Sequence, residues 1–238
     1  MEEKLSGIVL GGISFGENDK ILNIFTLEKG VVSAKIKGVK KAGAKLKFAA
    51  EPFCFAEYVF TRTADKRTVI GASLIDSFYP VREDIKKYFS AGAVLEFIKR
   101  FYRESIISPD DFFLAVNTLK NIAYGQNSTV APLVVFLVNA IKDQGYMLNL
   151  DGCFYCKKDI VDRAFFDYRV GSFVCERCYD HKGREINFNT YVSLKKAEQG
   201  ELVDGEGAVM ALRLINYYLN NRLDEKFSTI DELLKLTA

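Results

Sequence analysis

Residues 7–41 read GIVLGGISFGENDKILNIFTLEKGVVSAKIKGVKK, and the period of this stretch decides the architecture of the N-terminal third. In its last run Val32, Ala34 and Ile36 fall on one side, while Ser33, Lys35 and Lys37 fall on the other. A period of two is that of a strand with one buried face. Glycine-containing and charged turns cut the stretch into three such runs, KLSGIVLGGISF, KILNIFTLEKG and VVSAKIKGVKK. Downstream, EPFCFAEYVFT and RTVIGASLIDSF supply two more. Five short strands within residues 1–80 suit a small β-barrel, in which closure removes exposed edges.

At Pro80 the period changes to that of a helix. Ile85, Phe89, Ala93, Phe97 and Phe101 recur every fourth residue behind an acidic turn. In SPDDFFLAVNTLKNIAYG, Ser108 is placed as N-cap, Pro109 at the first helical position and Gly125 beyond the end. Further helices are expected over Val130 to about Gly145, Asn189–Glu198, Gly205–Arg222 and Thr229–Leu236. The predicted class is α+β: a barrel domain over 1–80, then a helical domain over 81–238 interrupted by a cysteine module at about 146–190.

That module, CFYCKKDIVDRAFFDYRVGSFVCERC, holds four of the five cysteines. The N-terminus MEEKLSGIVLGG does not read as an export signal, and APLVVFLVNAI is too short to cross a membrane. The chain is therefore placed in the cytoplasm, where thiols stay reduced and paired cysteines point to metal more than to disulfide. Cys153, Cys156, Cys175 and Cys178 follow C-x2-C-x18-C-x2-C spacing, so two tight turns can aim four sulfurs at one structural Zn2+. The residues between are expected to form a β-hairpin turning at Arg169-Val170-Gly171-Ser172. His181 has C-x-x-H spacing after Cys178, but a closed four-sulfur site leaves it as an exposed turn residue. Cys54, in an apolar strand, reads as a small buried hydrophobe.

The net charge of +2 does not by itself call for a polyanionic partner, so local clustering must carry that case. Residues 35–47, KIKGVKKAGAKLK, hold Lys35, Lys37, Lys40, Lys41, Lys45 and Lys47 with no acid, and Arg62 and Arg67 follow across the expected barrel. Lysines on a small-residue loop between barrel strands suit sequence-independent contact with phosphate backbones; a solvated loop is the bland alternative. Phe15, Phe48 and Tyr58 are candidates to stack on bases, with barrel core the better reading for Tyr58. Lys86, Lys87, Lys99, Arg100 and Arg103 on the first helix alternate with acids and read as a solvated face. GGISFGENDK and GVKKAGAKLK both miss the phosphate-loop pattern, and a single histidine leaves no triad. No catalytic constellation and no small-molecule site are expected.

In order and spacing these pieces resemble the RecO family of bacterial recombinational repair. The resemblance rests on Gly16-Glu17-x-Asp19-x-Ile21, Thr26, Gly30 and Lys37-Gly38, then EPFCFAEY, GYMLNLDGCFYC and RAFFDYRVGSFVCERC. It implies an N-terminal OB-fold, a helical domain with a zinc-binding insert, and the four cysteines as ligands. It further implies a non-enzymatic mediator that binds single- and double-stranded DNA, anneals complementary strands, works with RecR, contacts SSB and helps load RecA. Lys157 stands where the family commonly has glycine, Ser172 replaces the second glycine of the hairpin turn, and the tail YYLNNRLDEKFSTIDELL carries over no partner-binding residues. A zinc-stapled interaction adaptor with little DNA affinity is the alternative function.

Overall fold

In the computed structural model, which describes residues 2–63, 66–105, 108–126, 128–146 and 148–237, the N-terminal strands are β1 (Glu2–Phe15), β2 (Asp19–Thr26), β3 (Gly30–Ile36), β4 (Phe55–Thr63) and β5 (Lys66–Asp76). They close into a barrel of order β1-β2-β3-β5-β4. The long first strand makes closure possible: its first half pairs with β4, from Glu2↔Thr61 to Ile8↔Phe55, and its second half with β2, from Gly7↔Thr26 to Phe15↔Asp19. It bends at a bulge between Val9 and Gly11, where Gly11 has a φ of 143° that a side chain would strain. A short parallel ladder between β3 and β5, Ala34↔Arg67 to Ile36↔Val69, completes the ring. This is the OB-fold that the resemblance implied.

Inside the barrel, Val32, Ala34 and Ile36 pack with Leu22, Ile24, Tyr58 and Phe60, as the alternation of β3 required. Cys54 is buried there too, and burial pushes its thiol pKa up.

Among the described residues six helices follow: α1 (Ile85–Phe101), α2 (Pro109–Tyr124), α3 (Val130–Asp143), α4 (Phe188–Glu198), α5 (Glu206–Arg222) and α6 (Ser228–Leu236). Ser108 caps α2 through its Oγ, which accepts from Asp111 N at 3.3 Å. Along α1, Ala93 and Phe97 are buried, whereas Ile85 is exposed. A spacing of four drifts about 40° per step around a helix of 3.6 residues per turn, so the far end of the stripe leaves the packed side. α3 is buried along almost its whole length and packs against α4 and α5. No described helix is long and apolar enough to cross a membrane.

Between α3 and α4 lies the second sheet, of order β7-β6-β8, with β6 (Ala164–Asp167), β7 (Ser172–Cys175) and β8 (Arg184–Ile186). β6 and β7 form the expected hairpin, and Gly171, at φ 63°, makes its turn while donating its N–H to Asp167 O at 2.9 Å. The chain divides into two compact units, Met1–Asp84 with Leu95–Leu119, and Ile85–Val94 with Lys120–Ala238.

Candidate functional site

The first C-x-x-C turn is closed by backbone hydrogen bonds in both directions: Lys157 N donates to Cys153 O and Cys153 N to Lys158 O, each at 2.9 Å. Lys157 takes a φ of 61°, the left-handed backbone that glycine would supply without strain. The second pair sits where β7 runs into a single helical turn, Glu176–Cys178. Hairpin pairing carries Cys175 opposite Ala164. Arg163 clamps the same end of the sheet, with Nε and Nη2 donating to the two Glu185 carboxylate oxygens at 2.9 Å and Nη1 to Glu176.

Together these turns bring the Sγ atoms of Cys153, Cys156, Cys175 and Cys178 within 4.8 Å of one another. Cys156 and Cys175 are 3.7 Å apart, and all four thiols are free. A disulfide needs about 2.05 Å, whereas a tetrahedron with metal–sulfur arms of about 2.3 Å has edges of about 3.8 Å. The donor set therefore fits a thiophilic cation. Electrostatics agree: burial opposes the Cys153 thiolate, but the N–H groups of Cys156, Cys175 and Tyr155 outweigh it and draw its pKa to about 6. Burial and the three neighbouring cysteines push Cys178 up to about 12. Four sulfurs this close cannot all ionise unless a positive ion stands between them. Among the described residues this group comprises the four cysteines, without His181, which is exposed in a left-handed turn.

The lysines expected to meet phosphates fall into two environments. Lys37, Lys40, Lys41, Lys45 and Lys47 are all exposed on the loop leaving β3, and among the described residues none has an ion-pair partner. Asp19 anchors this loop to the start of β2: its Oδ1 accepts from Gly38 N at 2.8 Å, and Lys40 N donates to Asn18 O at 3.0 Å. Lys35 lies on the outer face of β3, paired with Asp19 Oδ2 at 2.8 Å, and that partner first, then Gly38 N, holds the Asp19 carboxyl below its usual range. Arg62 is exposed on β4.

Arg67 is different. Its side chain is 4% exposed, and it donates through Nε to Glu3 at 2.7 Å and through Nη1 to Glu104 at 2.8 Å. It offers no surface to a phosphate and belongs to the frame of the barrel. Its sequence position, opposite Arg62 across the β4–β5 ladder, gave no hint of this; the alternation of β5 did, since Arg67 and Val69 are both buried. Of the three aromatic candidates, Tyr58 is buried in the barrel with its hydroxyl donating to Ala49 O, Phe48 packs against the core, and Phe15 is half exposed. Lys99, read from sequence as part of a solvated helix face, reaches back over β1: a Cβ at Gly11 would stand 3.0 Å from its Nζ. The signal was the glycine itself.

Comparison with known proteins agrees with the geometry at both ends. Residues 1–78 match the family described as Recombination protein O N terminal, and residues 82–229 match Recombination protein O C terminal. Among curated relatives, the DNA repair protein RecO of Acetivibrio thermocellus is 26% identical over 240 residues, covering 98% of this chain and 88% of that protein. The RecO of Caldanaerobacter subterraneus subsp. tengcongensis is 27% identical over 243 residues, 98% of each chain, and that of Bacillus subtilis 28% over 181 residues, 76% of this chain and 70% of the relative. Matches across both halves, together with the closed barrel and the four-cysteine hairpin module, place this chain in the RecO family of DNA repair proteins.

Proposed function

We propose that the protein is a recombination mediator that binds single- and double-stranded DNA through the barrel and anneals complementary strands. The observation that carries this reading is the loop from Gly38 to Lys47: cations without acidic partners, fixed to a barrel rather than trailing free. Exposed ammonium groups bind phosphate backbones irrespective of sequence and release condensed counterions as they do so. Lys35, Lys37, Lys40, Lys41, Lys45, Lys47 and Arg62 form the DNA-binding set; Arg67 is left out because it is buried. Cations shared between two strands lower their mutual repulsion, and base pairing then supplies the free energy, so no nucleotide hydrolysis and no catalytic residue are needed. Residues 1–80 act as the nucleic-acid-binding domain and 81–238 as the helical domain.

The metal held by Cys153, Cys156, Cys175 and Cys178 is one structural zinc ion, since four thiolates leave no open coordination position. The family resemblance supplies the partners: RecR, SSB-coated DNA in the cytoplasm, and RecA as the protein loaded. Reversing charge at Lys37, Lys40 and Lys41 is expected to weaken binding to both kinds of strand and to flatten its salt dependence, in an anisotropy titration across salt concentrations. Unchanged affinity in that titration would leave the adaptor reading in its place.

A further inference from the structure

On the outer face of the barrel, cross-strand registers bring together residues that lie apart in sequence. Ile13 pairs with Ile21, and Ile21 with Lys35, in one row across β1, β2 and β3. Phe15 stands two residues beyond Ile13 on the same face of β1 and pairs with Asp19 in the next row. Ile13 is 68% exposed and Phe15 49%. Lys35 Nζ lies 4.5 Å over the centre of the Phe15 ring, held there by Asp19, whose other carboxylate oxygen takes Gly38 N. The acid at this face is therefore neutralised from two sides. At the far end of the same strip, Gly11 leaves room for the Lys99 ammonium. The strip from residue 11 to 15 is about 13 Å long at 3.3 Å per residue.

The geometry points to this face as a platform for unpaired bases, with Phe15 as its stacking residue and Ile13 and Ile21 as its apolar floor. The inference rests on the DNA-binding reading above and adds to it a means of telling single strands from duplex. The lysine loop meets phosphates, which both forms present. The half-exposed Phe15 ring, with the Lys35 ammonium beside it, meets base faces, which a duplex keeps stacked inside. Every base has such a face, so the contact is indifferent to sequence. Stacking also uses the face of a base and leaves its pairing edge free for an incoming strand.

The chain has no tryptophan, so Phe15→Trp places a single indole reporter in the platform. Its fluorescence should be quenched by a thymidine oligonucleotide and left unchanged by an oligomer of the same length with abasic sites or by a duplex. Phe15→Ala should weaken binding of the thymidine oligonucleotide about tenfold while duplex affinity and its salt slope stay put. Charge reversal at Lys37, Lys40 and Lys41 should instead weaken both. If Phe15→Ala binds single strands as the parent does, or loses both forms equally, or if the indole responds alike to abasic and intact strands, the platform is overturned while the loop reading stands. A parent protein that binds no strand overturns both.

Discussion

At the scale of single residues, Arg67 shows that a cation can serve shape rather than ligand. Glu3 at the start of β1, Arg67 on β5 and Glu104 beyond α1 meet over one guanidinium, and Lys29 Nζ adds a bond to Glu3 at 2.5 Å. Arg67→Ala would leave Glu3 with Lys29 alone and Glu104 without this partner, so it should lower stability by about 2 kcal/mol in urea unfolding. The salt slope of DNA binding should stay that of the parent, since Arg67 faces no phosphate. Burial works against the Glu3 carboxylate, but the bonds from Lys29 and Arg67 outweigh it and hold its pKa below the usual 4.5. A carboxyl depressed on folding contributes stability above its unfolded pKa and loses it as pH falls through the folded value. The stability difference between parent and Glu3→Gln should therefore be present at neutral pH and shrink as pH drops below about 4.5. A difference that persists unchanged at low pH would mean that the network holds by packing rather than charge. Of Arg67 only the burial was legible, through the alternation of β5; the acid nearest it in sequence is Asp65, and nothing in the string points from Arg67 to Glu3 or Glu104. Its partners lie 64 and 37 residues away along the chain.

At the scale of elements, what could be read depended on length and period. The five barrel strands and six helices stood out because each repeats its pattern several times, and residue 54 could be assigned to a core from its apolar neighbours alone. β8 was missed: three residues, Arg184–Ile186, with two of them exposed, carry no alternation to detect, and the strand exists because β6 offers it an edge. The cysteine module was legible from spacing, since two x2 intervals constrain turns wherever they occur. With a metal bound, its stability would be tied to that ligand. β6, β7 and β8 are short, and the sulfurs that join them repel one another once ionised. Metal analysis should find about one ion per chain, and Cys156→Ser should reduce that content and lower the melting temperature. Because every sulfur must give up its proton to bind, metal affinity should fall as pH is lowered. A serine variant that keeps both its melting temperature and its metal would show that the hairpin holds without a four-sulfur site.

At the scale of the whole molecule, the net charge of +2 says little, because 33 basic residues are nearly matched by 31 acidic ones. What matters is where the matching fails, and the loop over residues 37–47 is such a place. Its five exposed lysines set a ceiling on counterion release. With about 0.7 ions per phosphate for single strands, the logarithm of affinity should fall against the logarithm of salt with a slope no steeper than about −3.5 if the loop alone makes contact. Between roughly 50 and 200 mM salt this is about a hundredfold. Reversal at Lys37, Lys40 and Lys41 should flatten the slope by about 2. Annealing gives the sharper test, since salt acts on it in two opposite ways. Bare strands anneal faster as salt screens their repulsion, whereas a cationic loop loses its hold on them. The ratio of protein-assisted to unassisted annealing should therefore decline steadily with salt and approach one in the lysine-reversed protein. An acceleration that survives high salt, or survives loss of the three lysines, would require contacts other than this loop to bring the strands together.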